Sequence, residues 1–354
     1  MNDFNLLSRA KRQVKTLLKN NFEVIIFQGN FNNKFEAQKN NHINLRIRQT
    51  KCSLLNFFFL VIFNFNVFFR ILKRNDIEIV FCRELSTLLS GYLIKIFNKK
   101  IKLVYDSNEL SIETYQGIRK KIWYFLEKIF VKKCDLIIHA EKNRKEYFNQ
   151  IYPFVSANQI VQPNFVEFNP STITNRNNIS AIYIGAIGPH RDLEKLLQAF
   201  AEIKEIKLVI KGFGSESYIN QLKKLYLKNG NEKNISFEPP INDEKLNDYL
   251  KNFSIGIAFY PNTNLNNWFC APNKVYQYLQ NNLAIITSNN PPLVELIDNY
   301  KVGCYIKEIS KENLISAINT IINNKLWNNI TEDVKKTFSW ETLEPEFIDT
   351  IKNL

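Results

Sequence analysis

The feature that most limits what this chain can fold into is a rhythm. Short runs rich in β-branched and aromatic residues, FEVIIF (22–27), IEIVF (77–81), IKLVY (101–105) and CDLIIH (134–139), recur with longer helical stretches between them. Strands spaced by helices predict a parallel, doubly wound sheet. A polar stretch, PNFVEFNPSTITNRNN (163–178), interrupts the rhythm, and its Pro, Asn and Thr read as linker. The rhythm then restarts with SAIYIG (180–185), IKLVIKG (206–212), NISFE (234–238), FSIGIAF (253–259) and LAIITS (283–288). Two α/β domains of similar size follow, which suits 354 residues better than one core. No short-period repeat is visible, so solenoids and propellers are set aside.

Composition narrows the function classes. Hydrophobic residues make up 45% and charged residues 23%, enough apolar material for folded cores, which argues against disorder. The start, MNDFNLLSRAKRQVKTLLKNN, is amphipathic and lacks the apolar region of a signal peptide, which predicts a cytoplasmic protein. Five cysteines (Cys52, Cys82, Cys134, Cys270, Cys304) stand far apart without a CxxC pair, as reduced, mostly buried thiols would. The net charge of +13 is uneven: residues 1–100 hold 17 Lys/Arg against 6 Asp/Glu, and the excess ends by residue 150. A basic half predicts an anionic partner. Nucleic acid is disfavoured, because no helix-turn-helix, zinc finger or RNP-like run occurs.

Two domains of this class facing each other leave a central cleft at the carboxyl ends of both sheets, where ligands bind in open α/β folds. YIGAIGPHRDLEKLLQAF reads as strand, turn with Gly185 and Gly188, then helix; LVIKGFGSESYINQL repeats this with Gly212 and Gly214. Glycines let backbone approach a ligand, and helix N-termini offer unpaired N–H groups to phosphate. Either turn alone is as well explained by an ordinary strand-to-helix connection.

The order of the pieces is more specific. YIGAIGPHRDLEKLLQAF, LVIKGFGSE, ISFEPPINDEKLNDYLKNFSIGIAFYPN and APNKVYQYLQNNLAIITSNNPPLVELI follow one another with the spacing of a GT-B glycosyltransferase's second domain, and resemble glycosyltransferase family 4 in its "PNK" form. SRAKRQVKTLLKNNFEVIIF, IEIVFCRELSTLLSGYL and KLVYDSNEL are similar to that family's first half, so the resemblance covers roughly residues 1–335. It implies two Rossmann-like domains: 1–165 binding the acceptor, a linker at 166–178, 179–337 binding the nucleotide sugar, and a C-terminal helix at 338–354 packing back on the first domain.

The resemblance implies a retaining enzyme that moves a sugar from a nucleotide-diphosphate donor to a surface-glycan or lipid-linked acceptor, without metal or other cofactor. The sequence holds no DxD pair to carry Mg²⁺ or Mn²⁺, so cations must neutralise the leaving diphosphate. Arg191 and Lys274 match the family's positions for this, while Asn108 and Glu109 stand at the end of the DSHEL-like strand. Donor contacts are implied for Gly185, Gly188, His190, Gly212, Gly214, Phe237, Pro272, Asn273, Gln277 and Pro291. Several positions depart from the family pattern. Ala186 replaces a basic residue, and Gln277 replaces a glutamate that would accept the ribose hydroxyls. Asn108 replaces a histidine, and NLLSRAK replaces a glycine-rich loop. A catalytically weak or dead donor-binding protein, or a nucleotide-sugar epimerase, is the alternative.

One segment remains. SLLNFFFLVIFNFNVFFRILKR (53–74) has no charge between Lys51 and Arg70 and nears the length of a membrane span. A span would strand the first strand away from its sheet, so a helix between the first two strands is expected. Its most polar stripe is Asn56, Phe59, Phe63, Asn66, Arg70 and Lys73. That stripe predicts an outward face, with Phe59 and Phe63 dipping into a membrane surface and Arg70, Lys73 and Arg74 meeting anionic lipid on the inner face of the cell membrane.

Overall fold

The computed structural model describes residues 8–30, 42–46, 53–171, 179–189, 191–226 and 233–354. The chain divides into two compact units, Met1–Pro163 with Leu343–Leu354, and Asn164–Thr342.

In the first unit, α1 (Ser8–Lys19), β1 (Ile26–Asn30), β2 (His42–Arg46), α2 (Ser53–Leu72), β3 (Ile79–Arg83), α3 (Leu85–Phe97), β4 (Lys102–Ser107), α4 (Gly117–Phe130), β5 (Leu136–His139), α5 (Lys142–Ile151) and β6 (Asn158–Val161) follow in order. β3, β4, β5 and β6 form a parallel sheet in sequence order, and β1 pairs with β2 in a separate parallel pair. The strand expected at 22–27 begins only at Ile26. The inner faces of α2, α3 and α4 bury Phe63, Val67, Phe68, Leu88 and Phe130 against Val80, Leu103 and Ile137 of the sheet.

In the second unit, β7 (Ser180–Ile187), α6 (Leu193–Phe200), β8 (Lys207–Gly214), α7 (Glu216–Tyr226), β9 (Ile235–Glu238), α8 (Asp243–Leu250), β10 (Ile255–Ala258), α9 (Leu265–Trp268), α10 (Asn273–Gln280), β11 (Ala284–Ser288), α11 (Pro291–Tyr300), β12 (Gly303–Ile306), α12 (Lys311–Asn323) and α13 (Glu332–Thr337) precede α14 (Trp340–Lys352). The last of these passes into the first unit at Leu343. Six parallel strands stand in the order β12, β11, β10, β7, β8, β9. Successive residues serve opposite faces: Ala181 and Tyr183 join the core under α6 and α12, and Ile182 and Ile184 join the one under α10 and α11. A sheet buried on both faces needs unbroken apolar strands, and these have them. The doubly wound parallel architecture expected from the rhythm is therefore present.

The α2 expectation is corrected in its orientation. The helix forms, and among the described residues it is the one helix long and apolar enough to cross a membrane by length and composition. Phe63, however, is 4% exposed, and Phe59 packs against the core. The outward stripe is Leu55, Phe58, Ile62, Phe65, Phe69 and Leu72, with Phe58 and Phe69 each 56% exposed. Asn64 is the cause. Its amide donates to the carbonyls of Leu60 (2.8 Å) and Ser86 (2.9 Å), and its Oδ1 accepts from the Ser90 N–H (3.0 Å). A buried amide with every bond made is a stable inward residue, and it turns the helix so that the more apolar face looks out. Arg70, Lys73 and Arg74 are exposed as expected, Arg74 in a pair with Asp76.

Candidate active site

The second unit gathers cations at the carboxyl end of a central strand. Gly185, expected in a turn, lies inside β7 and pairs with Gly212 of β8, and Gly188 opens the turn that follows the strand. Gly185 has φ +129°, a conformation open to glycine. Opposite it on β8, a Cβ on Gly212 would lie 1.7 Å from the Gly185 carbonyl oxygen. Gly212 thus permits the backbone of β7 and β8 to close at this point, and Gly214 does the same against Ile187. Their role is the close approach of the two strands. Nothing lies within 4 Å of a Cβ built on Gly188.

Lys274 reaches the end of β7 from α10. Pro272 is buried as the N-cap of that helix, Asn273 is its exposed first residue, and Tyr278 anchors it to the sheet. The Tyr278 hydroxyl accepts from the Ile184 N–H at 3.0 Å and lies 3.2 Å from the Ile257 carbonyl. The tyrosine fits because Gly256 has no side chain, since a Cβ there would sit 2.3 Å from the ring. One turn before Tyr278, on the same helix face, the Lys274 ammonium reaches 3.6 Å from the Gly185 Cβ position. It lies 4.0 Å from the Tyr183 ring centroid and 5.6 Å from that of Tyr260.

Burial first, and the positive charge of Arg191 second, lower the Lys274 pKa to about 7. Among the described residues neither Lys274 nor Arg191 forms an ion pair or a side-chain hydrogen bond. Lys274, over two aromatic rings, and Arg191 converge without a carboxylate among the described residues at the carboxyl end of β7. An anion with several oxygens is the natural complement of such a place.

The other expected donor residues are less gathered. Gln277 lies one turn from Lys274, and its side chain makes no hydrogen bond among the described residues. Pro291 is the first residue of α11, behind an Asn290 N-cap whose amide donates to the Asn267 carbonyl at 2.8 Å. Phe237 packs against the core with the Lys223 ammonium 5.6 Å from its ring centroid. His190 lies outside the described residues. Tyr183 in β7 and Tyr260 just after β10, which line Lys274, were not singled out from sequence, because a tyrosine in or beside an apolar strand reads as core.

In the first unit, Asn108 and Glu109 follow β4 and line a cavity of about 590 Å³. The Asn108 Oδ1 is buried without a hydrogen-bond partner. Behind them Asp106 is fully buried, paired with Arg9 (2.9 Å) and Arg83 (3.2 Å). His139 is buried, bonded to Gln159 at 2.9 Å, with its pKa lowered to about 4 by burial. Among the described residues no three His, Cys, Asp or Glu side chains converge as metal ligands.

Comparison with known proteins adds the class. Residues 167–337 match the family model described as "Glycosyl transferases group 1". No curated protein matches the chain. Among solved structures, sucrose-phosphate synthase from Thermosynechococcus elongatus superposes with a TM-score of 0.76 at 14% identity, covering 98% of this chain and 92% of that one. The Anabaena protein HepE in complex with UDP and glucose gives 0.70 at 13% identity, covering 99% and 96%. The E. coli trehalose-6-phosphate structure bound with UDP-2-fluoro glucose gives 0.73 at 10% identity, covering 98% and 96%. Residues 167–337 are thus similar to a glycosyl transferases group 1 domain, and the chain as a whole has the GT-B fold.

Proposed function

We propose that this chain transfers a sugar from a nucleotide-diphosphate donor to a surface-glycan or lipid-linked acceptor, with retention at the anomeric carbon and without a metal ion. The observation that carries the reading is the convergence of Arg191 and Lys274, two cations without a carboxylate partner among the described residues, at the carboxyl end of β7. As the bond between the anomeric carbon and the diphosphate breaks, charge grows on the leaving oxygens. Fixed cations lower the barrier because they meet that charge in the transition state. The leaving phosphate takes the proton of the acceptor hydroxyl, so no protein base is required. The solved neighbours that hold UDP or a UDP sugar support this donor class.

The enzyme works on the cytoplasmic face of the membrane as a peripheral protein. The support is the outward stripe of α2 together with exposed Ile118, Ile122 and Phe125 on α4, among exposed Arg70, Lys73, Arg119, Lys121 and Lys128. Apolar side chains enter the headgroup region while cations meet anionic lipid. Wild-type protein floats with anionic vesicles, and Phe58→Ser with Phe69→Ser abolishes flotation; equal flotation of the double variant removes this attachment. The donor reading is tested by thermal shift, since a nucleoside diphosphate that binds the native state raises the melting temperature. The absence of a shift with every nucleoside diphosphate and its sugars refutes it.

A further inference from the structure

Lys274 is a cation drawn out of water, and its surroundings supply no opposite charge among the described residues. What they supply instead is two aromatic faces. The ammonium lies 4.0 Å from the centroid of the Tyr183 ring and 5.6 Å from that of Tyr260. A cation over a ring, within about 6 Å of the centroid, is attracted by the negative π face, and more strongly where water is excluded. A carboxylate in that place would engage the N–H donors of the lysine and repel an incoming anion. A π face carries no net charge and does neither.

Both rings are held. Tyr183 is buried in β7, and its hydroxyl donates to the Ala186 carbonyl at 2.9 Å, three residues on along the same strand. The Tyr260 N–H donates to the Ser288 hydroxyl oxygen at 2.8 Å, that hydroxyl donates to the Asn290 Oδ1 at 2.6 Å, and the Asn290 amide donates to the Asn267 carbonyl at 2.8 Å. The backbone that carries Tyr260 is thereby joined to the end of β11, the cap of α11 and α9. Burial raises the pKa of both phenols, that of Tyr183 to about 12, and the charge of Arg191 opposes the rise in each. The phenols therefore stay neutral, and Arg191 stands near the same rings. Lys274 is the group that titrates near neutral pH, with Arg191 and the buried Cys270 as the other ionisable groups acting on it.

We propose that Tyr183 and Tyr260 are positioning residues of the transfer reaction: an aromatic seat that holds the Lys274 ammonium charged and in place at the carboxyl end of β7 and leaves its N–H donors to an anion. The seat takes the part of the counter-ion that a lysine removed from water otherwise needs. A diphosphate then meets a cation that is already fixed, the arrangement that lowers a barrier without reorganisation. This meaning rests on the donor reading; the existence of the seat does not.

The seat is tested first without ligand, on the full chain. Isotope-labelled lysine gives the Lys274 titration by NMR, with the signal assigned by its absence in Lys274→Met. Tyr183→Leu lowers the midpoint by about one pH unit and Tyr260→Leu by less, since the nearer π face contributes more. UDP affinity in Tyr183→Leu then falls about tenfold at pH 8 and about twofold at pH 6, where the lysine is largely charged in either protein. Tyr183→Phe and Tyr260→Phe keep the rings and stay within about twofold of wild type. Leucine at 183 also disturbs a core position. A ring-fluorinated phenylalanine placed there keeps the shape, weakens the π face, and lowers the midpoint in the same direction relative to Tyr183→Phe. Midpoints that stay at the wild-type value in the leucine and fluorinated variants overturn the proposal. So does an affinity loss equal at both pH values, which assigns the tyrosines to packing alone, and so do phenylalanine variants that behave like the leucine ones, which assigns the role to the hydroxyls. A wild type that binds no nucleoside diphosphate defeats the donor reading, while the ligand-free titration still decides whether the seat exists.

Discussion

The two units solve the same problem with opposite charge. In the second, the end of β7 carries two cations, Arg191 and Lys274, and burial first, with Arg191 second, lowers the lysine pKa. In the first, the ends of β3 and β4 carry Glu84 and Glu109, and burial first, with Glu109 second, raises the Glu84 pKa. Each unit holds like charges together at its strand ends, a cost that burial increases and that a complementary ligand relieves. A cationic cluster suits an anionic ligand, and an acidic one suits hydroxyl donors. Like folds therefore need not imply like ligands, since side chains at the strand ends decide.

The largest effect belongs to the cationic unit. Arg191→Ala and Lys274→Ala should each lower turnover by roughly 10²-fold or more, the scale of losing a preorganised group opposite developing charge. Donor affinity should fall less than rate. Steady-state kinetics with separate measurement of donor binding checks this, and unchanged turnover in both variants removes the pair from the site. Glu84→Gln should act instead through the acceptor KM, and a change in donor affinity there would break the contrast.

The second prediction uses pH. Lys274 titrates near 7 when folded against 10.5 ordinarily, so the folded state holds fewer protons between those values and gains stability as pH rises through that window. Glu84 titrates near 8 against 4.5, so the folded state holds more protons between those values and loses stability as pH rises from about 4.5 to 8. A bound diphosphate favours charged Lys274. Its affinity should fall as pH rises above about 7, by up to about tenfold per unit for one linked proton. Calorimetric titration of UDP across pH 6–9 measures it. A flat affinity in wild type, or an unaltered slope in Lys274→Met, would show that the lysine does not meet the anion.

A third, smaller effect concerns stability in the acidic unit. Glu84 has φ 64° and ψ 157°, a combination nearly confined to glycine. Glu84→Gly relieves a conformation that costs on the order of 1–3 kcal/mol in a non-glycine residue and adds chain entropy worth about 0.5–1 kcal/mol to the unfolded state. The net result of these two terms should be a protein more stable by about 1 kcal/mol. Urea unfolding measures it. A destabilised variant would mean that Glu84 is held for packing.

How much of this was legible in the chain follows from physics. The strands IKLVIKG and LAIITS are buried on both faces and so carry the strongest apolar signal, and both stand within one or two residues of where they were expected. β2, β6 and β12 escaped notice because they are short, and NQIV and HINLR are half polar. Lys274 was legible through its place in APNKVYQYL. The facing of α2 was not, because polarity marks an outward residue only when its partners are water, and the partners of Asn64 are Ser86 and Ser90. Glu84 gave no signal at all: its backbone strain and the cavity it lines are set by distant chain segments.

The smallest effect concerns Gln277, one turn from Lys274 on α10. Its side chain makes no hydrogen bond among the described residues, so a change there does not disturb the packing that Tyr278 provides. Gln277→Glu should tighten UDP by up to about 1 kcal/mol, the order separating charged from neutral hydrogen bonds. Two causes can produce that gain. A carboxylate at this position accepts from ribose hydroxyls more strongly, and it also lies three residues from Lys274, near enough on a helix to favour the charged lysine. Titrations with 2′-deoxy-UDP and at pH 6 distinguish them. A gain that disappears with the deoxy compound but persists at pH 6, where Lys274 is already charged, belongs to the ribose; one that persists with the deoxy compound and fades at pH 6 belongs to the lysine. Weaker binding of UDP by Gln277→Glu would instead show that the amide N–H is the group in use, and that this unit reads its ligand with donors throughout.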